Sequence, residues 1–162
     1  MAEKSILQKI VERGHYRFVD RVDSWQDAVR ISTESLAETG YVSENYYKQI
    51  VDCIEKYGPY VVFDHLIAMP HSQEGAEGAN KTGVGFLRVK EDVDFGKDED
   101  GEEKIARLFF TLAAKDPSEH IDNIQQLMSV FCNDPLIDAL LEANTPEDIL
   151  KAEADYPPED DF

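Results

Sequence analysis

The sequence predicts a single α/β domain, in which short buried strands alternate with amphipathic helices around a largely covered sheet. A chain of 162 residues suits one domain, and a domain of that size buries roughly 70% of its unfolded surface. Apolar residues make up 42% of the chain, too many for a disordered acidic polymer even at a net charge of −18. Apolar positions recur at helical spacing in some segments and form short runs between prolines in others, which separates helices from strands.

Three helices and one strand are expected before residue 59. Ser24 is the predicted N-cap of the second helix, because Asp27 stands three residues later, where a capping box more often has Glu. Gly14 and Gly40 are expected to end the first two helices in left-handed caps. The segments are 1–14 (helix), 16–19 (strand), 24–40 (helix) and 43–58 (helix).

The middle of the chain predicts the buried strands and two loops. The apolar runs that predict strands are 60–63, 66–69, 83–89 and 105–113. Residues 72–83 are rich in Gly and Ala and are expected to form a loop. Residues 91–103 carry eight acids and one lysine. Their Asp98-Glu99-Asp100-Gly101 lacks the ligand spacing and closing Glu of an EF-hand, so it is interpreted as a solvated turn and no metal is assigned.

Three aspartate– or threonine–proline pairs predict the helices of the C-terminal half. In Asp116-Pro117, Asp134-Pro135 and Thr145-Pro146, a capping side chain precedes a proline at the first helical position. The domain is expected to cover residues 1–152. Residues 153–162 carry five acids and no base, and are interpreted as an acidic tail.

The charge and cysteine content exclude several classes of function. A chain with 34 acids and 16 Lys and Arg is unsuited to nucleic acid or to an anionic membrane, and favours partners with a basic face. Cys53 and Cys132 lie far apart without neighbouring ligands, and are interpreted as small buried apolar residues. With no signal peptide or membrane span in the sequence, we expect a soluble, cytoplasmic protein that needs no cofactor.

Two of the four histidines lie in settings that favour an anion. Each histidine alone is more often a surface or core residue than a catalyst, and His15 is interpreted that way. His71 follows an apolar strand and enters a glycine-containing loop, whose backbone N–H groups near Ser72 to Gly75 can converge on a phosphoryl group. His120 lies in the first turn of a predicted helix, where the amide donors and the helix dipole also favour an anion. Together the two would suit phosphoryl transfer if the fold brings them close to each other.

The residues around His71 resemble a known family. Ile67-Ala68-Met69-Pro70-His71 is similar to the phosphorylation motif of EIIA components of the sugar phosphotransferase system (PTS), in the mannitol/fructose-type superfamily. The branch it resembles most is the ascorbate-specific one, on four motifs in order between about residues 20 and 150: Trp25-Gln26-Asp27-Ala28-Val29, Tyr57-Gly58-Pro59-Tyr60, Ala68-Met69-Pro70-His71 and Lys81-Thr82-Gly83.

The resemblance implies a fold, a reaction and partners. The fold is a mixed sheet flanked by helices on both sides. The reaction is transfer of a phosphoryl group from phosphohistidine on HPr to His71, and then to a cysteine of EIIB, with EIIC at the membrane transporting the sugar. His120 matches the family's supporting histidine. Lys81 is considered as a further phosphate-binding charge, although a solvated loop lysine is at least as good an interpretation.

The sequence departs from the family pattern at two positions, and one alternative function remains open. His65 precedes the motif, where ascorbate-type relatives often have a Pro-Gly turn, and a turn or surface role is expected for it. Glu55 stands where mannitol-type members have a supporting arginine. The alternative is a regulatory EIIA-like phosphoprotein that controls a partner through its phosphorylation state. A structural α/β protein with incidental histidines would leave the ordered motifs unexplained.

Overall fold

The computed structural model describes residues 5–63, 66–71 and 79–157. Over these residues the chain forms six helices and a five-stranded mixed sheet. The helices are α1 (Ile6–Arg13), α2 (Trp25–Glu38), α3 (Tyr46–Tyr57), α4 (Pro117–Phe131), α5 (Asp134–Leu141) and α6 (Pro146–Asp155). The strands are β1 (Tyr16–Val19), β2 (Val62–Phe63), β3 (Ile67–Ala68), β4 (Gly83–Lys97) and β5 (Glu103–Ala113).

The sheet has the order β1-β4-β5-β3-β2. The long β4–β5 pair at its centre is antiparallel, while β1 runs parallel to β4 and β3 runs parallel to β5. One apolar core lies between the sheet and helices α1, α4, α5 and α6, and a second lies between its other face and helices α2 and α3. The predicted mixed sheet with helices on both sides is therefore confirmed.

Helix α2 packs unusually close to the central strands. A Cβ on Gly85 of β4 would lie 2.8 Å from the Ser32 carbonyl oxygen, so a larger residue there would push the helix away. The Ser32 hydroxyl also accepts a hydrogen bond of 2.6 Å from Thr111 of β5. The glycine and this buried polar contact together fix the second core layer against the sheet.

Most predicted helix boundaries are confirmed. Ser24 caps α2 and accepts from the Asp27 N–H, and Gly14 ends α1 in a left-handed conformation. The helix start predicted at Ser43 is wrong: α3 begins at Tyr46, and the Ser43 carbonyl accepts from the Tyr46 N–H in the preceding turn. Helix α5 is capped by Asn133, one residue before the predicted Asp134.

Three other expectations need correction. The acidic segment 91–103 is mostly strand, because β4 continues to Lys97 and β5 begins at Glu103, leaving a short turn between them. Helix α6 runs to Asp155, so the first three residues of the predicted tail are helical. Cys53 is buried as expected, but Cys132 is exposed, since it caps the solvent-facing C-terminal end of α4.

In the Asp98 to Gly101 turn, the Asp98 side chain caps the backbone. Asp98 accepts hydrogen bonds from the N–H groups of Asp100 and Glu102, both at 2.9 Å, and these bonds lower the pKa of its carboxyl group. Gly101 supplies the positive φ of 80° that closes the turn. The solvated-turn interpretation is confirmed. No helix among the described residues combines the length and apolar character needed to cross a bilayer.

Candidate active site

His71 lies at the end of β3, held against the centre of the sheet. The carbonyl of Pro70, one residue earlier, accepts a hydrogen bond of 2.9 Å from the Leu112 N–H of β5. Pro70 is buried and His71 is half-buried, so the backbone is fixed while the ring reaches partly into solvent. A side chain at a rigid strand end is well placed for a reaction that depends on geometry.

The His71 ring is oriented by two contacts. Its Nδ1 lies 2.7 Å from the Met69 carbonyl oxygen, and since a carbonyl can only accept, Nδ1 must carry the proton. The lone pair of the neutral ring is therefore on Nε2. The Tyr60 ring packs edge-on against the imidazole with 5.2 Å between centroids, and its hydroxyl donates to the His71 carbonyl. Tyr60 thus contacts both the ring and the backbone of His71.

His120 is brought to the same region by the start of α4. Asp116 caps this helix by accepting from the Ser118 N–H at 3.1 Å, and the His120 N–H donates to the Asp116 carbonyl at 3.0 Å. The Thr82 hydroxyl oxygen, just before β4, accepts from the N–H groups of Lys115 and Asp116 at 2.9 and 2.7 Å. Thr82 therefore ties the start of α4, and His120 with it, to the end of the sheet.

The two histidines are electrostatically coupled. The pKa of His120 is lowered first by burial, which disfavours the imidazolium, and second by the charge of His71. The two imidazoles therefore lie within electrostatic range of each other. The Nδ1 atom of His120 is buried and has no hydrogen-bond partner in the part of the chain that the structure describes.

The other residues considered in the sequence stand apart from this pair or lie outside the described residues. Lys81 is exposed, and its Nζ lies over the Tyr41 ring, 5.2 Å from the centroid. Glu55 is exposed on α3. His15 is a buried core histidine, as interpreted from the sequence. The predicted phosphate-binding positions Ser72 and Gly75, and the additional His65, lie outside the described residues.

Three positioning groups carried no role in the sequence interpretation. They are the Met69 carbonyl, the Tyr60 hydroxyl and the Thr82 hydroxyl. Tyr60 and Thr82 fell inside motifs that indicated the family, so a signal was present for them, but nothing local showed which atom each would contact. Met69 also fell inside a motif, Ala68-Met69-Pro70-His71, but the motif did not show that its carbonyl would contact the ring.

The arrangement suits reversible transfer of a small anionic group to Nε2 of His71. In its neutral form the ring has its Nε2 lone pair available, and a second imidazole, in the first turn of α4, lies within electrostatic range. No group of three or more His, Cys, Asp or Glu side chains positioned to hold a metal occurs among the described residues. The chemistry that these residues support is nucleophilic group transfer.

Comparison with known proteins shows the family of this chain. Residues 9–153 match the family profile described as "Phosphoenolpyruvate-dependent sugar phosphotransferase system, EIIA 2". The ascorbate-specific PTS system EIIA component of Escherichia coli (strain K12) is 30% identical over 146 residues, covering 90% of this chain and 92% of the relative.

Two solved structures from E. coli share the fold. The crystal structure of IIA mannitol has a TM-score of 0.69 at 30% identity, with coverage of 85% of this chain and 94% of the other. The IIA mannitol protein in its complex with phosphorylated IIB mannitol has a TM-score of 0.71 at 28% identity, covering 87% and 94%. The chain belongs to the EIIA 2 family of the phosphoenolpyruvate-dependent sugar phosphotransferase system.

Proposed function

We propose that the chain is a cytoplasmic phosphoryl carrier, in which His71 accepts a phosphoryl group from phospho-HPr and passes it to the cysteine of a cognate EIIB. With EIIC at the membrane, this relay serves uptake of ascorbate or a related sugar. The ascorbate-specific relative supports the substrate class. The mannitol relative in complex with phosphorylated IIB supports EIIB as the partner. The net charge of −18 favours partners that present a basic face.

The observation that carries the proposal is the 2.7 Å contact between Nδ1 of His71 and the Met69 carbonyl. It leaves the Nε2 lone pair available to attack phosphorus. In the uptake step the new bond is Nε2–P, and the bond between phosphorus and the donor's imidazole nitrogen breaks, its electron pair returning to that nitrogen. In the delivery step the thiolate of EIIB attacks phosphorus and the Nε2–P electrons return to His71. Such loose transfers depend mainly on positioning and charge stabilisation.

His120 is the second residue of the proposed site. When it donates from Nε2 to a phosphoryl oxygen, it stabilises charge that develops during transfer. The amides of Ser72 and Gly75 and the ammonium of Lys81 remain proposed as additional phosphate contacts, with Lys81 requiring its side chain to leave the Tyr41 ring.

The test is phosphorylation by phosphoenolpyruvate, enzyme I and HPr, followed by intact mass. We expect one phosphoryl group on the wild-type protein, labile in acid, and none on His71→Gln. His120→Gln should still be labelled, about 10²-fold more slowly, since loss of one donor to the transition state has about that effect. His15→Gln, at a histidine buried in the core, is the matched control and should be labelled at the wild-type rate.

Two results would contradict the proposal. Full labelling of His71→Gln would show that another residue carries the group. An unlabelled wild-type protein, with HPr itself phosphorylated, would exclude the carrier role. Addition of a cognate EIIB then distinguishes transport from regulation, because a transport carrier loses its label to the EIIB cysteine.

A further inference from the structure

A buried asparagine lies one helical turn beyond His120. Asn123 is 2% exposed and shares the core-facing side of α4 with Leu127 and Val130. Its Oδ1 atom is buried and, like Nδ1 of His120, has no hydrogen-bond partner among the described residues. Residues three apart on a helix are neighbours on its surface, so the two unpartnered atoms belong to adjacent side chains.

The two atoms are complementary. An amide Oδ1 can only accept a hydrogen bond, whereas Nδ1 of a protonated imidazole can only donate. A buried polar atom without a partner is costly, and the great majority of buried polar atoms in folded proteins have one. A hydrogen bond between the two, direct or through one water, would satisfy both atoms together.

We propose that Asn123 is a positioning residue for the phosphorylated state: its Oδ1 accepts the Nδ1–H of protonated His120 and so directs the Nε2–H of that ring toward the phosphoryl group on His71. The proposal rests on the proposed function. It adds a residue that the sequence motifs do not single out.

Arrival of the phosphoryl group supplies the reason for the bond to form. Before transfer, burial and the charge of His71 lower the pKa of His120 and favour its neutral form. A bound phosphoryl group brings close to two negative charges, which favour the imidazolium. The proton comes from solvent, since phosphoryl transfer itself moves no net proton. Protonated His120 then has two N–H donors, and the buried one needs an acceptor.

The charged groups around His120 do not supply that buried acceptor. Among the described residues of other elements, His71 is the group whose charge acts on it. Next to it in the chain, Asp116 is the N-cap of α4 and Glu119 lies in the first turn of that helix. Asp116 is occupied as the helix cap, where its side chain accepts from the Ser118 N–H. Asn123 lies on the buried side, where the unpartnered Nδ1 is.

The experiment is an NMR titration of the histidine ring nitrogens, with the His120 signals assigned by their loss in His120→Gln. It is run on the full chain before and after phosphorylation by HPr. The variants are Asn123→Leu, which removes the acceptor at similar volume, and Asn123→Asp, which keeps an acceptor. Gln125→Leu, at an exposed position of the same helix, is the matched control.

In both states we expect Asn123→Leu to reduce the proton affinity of His120 about tenfold and to slow phosphoryl uptake by a similar factor. Asn123→Asp should raise the pKa of His120 and restore uptake, and Gln125→Leu should leave both at wild-type values. Unchanged titration of His120 in Asn123→Leu would overturn the proposal. If the wild-type protein takes up no phosphoryl group, the carrier function fails, while the titration of the unphosphorylated protein still decides the role of Asn123.

Discussion

The buried histidine before β1 should make this protein lose stability in mildly acidic solution. His15 is 1% exposed, and its Nε2 lies 2.9 Å from the Thr39 hydroxyl oxygen. That hydroxyl donates its own proton to the Ser35 carbonyl at 2.9 Å, so it accepts from Nε2–H of a neutral imidazole. The Tyr41 ring covers the imidazole edge-on at 4.5 Å. A second proton on this ring would be buried in an apolar setting.

The size of the effect follows from the pKa of His15. Burial first, and the charge of Arg13 second, lower this pKa from 6.5 to about 4. The folded protein thus binds the proton less readily than the unfolded chain. The stability from neutral His15 is present above pH 6.5 and is lost as the pH falls from 6.5 toward 4. Between pH 7 and pH 5 the loss is roughly 2 kcal/mol.

The assay is urea unfolding of the wild-type protein and His15→Gln at pH 7 and pH 5. Gln places an amide donor near Nε2 and does not titrate, while all other titrating groups are shared and cancel in the difference. We expect the stability difference between the two proteins to shift by roughly 2 kcal/mol in favour of the variant at pH 5. A shift below about 0.5 kcal/mol would refute the reasoning, because it would mean that His15 titrates alike in both states.

Two further predictions concern the groups that position the histidine pair. Thr82→Val removes the acceptor of two backbone N–H groups, so we expect the free energy of unfolding in urea to fall by about 2–3 kcal/mol and phosphorylation to become slower. Thr82→Ser should largely restore both. A wild-type phosphorylation rate in Thr82→Val would show that the Thr82 hydrogen bonds do not position His120. Tyr60→Phe removes the hydroxyl that donates to the His71 carbonyl but keeps the ring. We therefore expect the free energy of unfolding to fall by about 1 kcal/mol, and the phosphorylation rate to lie between those of wild type and Tyr60→Ala. Equal rates for Tyr60→Phe and wild type in the HPr assay would assign the whole effect to the ring.

Local chemistry explains which parts of the fold could be predicted. Helix starts at Asp116 and Thr145 were predictable, because a side chain that caps a helix followed by proline leaves few alternatives. The extension of β4 was missed because its acids concealed an alternation. Val93 and Phe95 are buried between exposed residues, which is the period of two of a strand with one solvated face.

The sequence singled out the two histidines of the candidate site but not the way they are arranged. His71 and His120 each had a local signal, a strand end before a glycine-containing loop and a helix start. Their proximity depends on long-range contacts, above all the pairing of β3 with β5 and the hydrogen bonds from the Lys115 and Asp116 N–H groups to Thr82. No spacing within one segment encodes these contacts, since their partners lie more than thirty residues apart.

The end of β5 is connected to both histidines of the candidate site. The Leu112 N–H holds the Pro70 carbonyl beside His71, and the Leu112 carbonyl accepts from the buried Tyr46 hydroxyl at 2.8 Å. Burial, together with a smaller contribution from Cys53, raises the pKa of Tyr46 to about 12, so this donor stays protonated over the physiological range.

The same strand leads directly into the loop that Thr82 holds and then into α4. A displacement of the end of β5 would therefore move both histidines together and preserve the distance between them. Loss of the hydrogen bonds to the Thr82 hydroxyl would instead move His120 alone. If transfer proceeds as proposed, it depends on the relative position of the two imidazoles, and damage at Thr82 should reduce the rate more than an equally destabilising change at Tyr46.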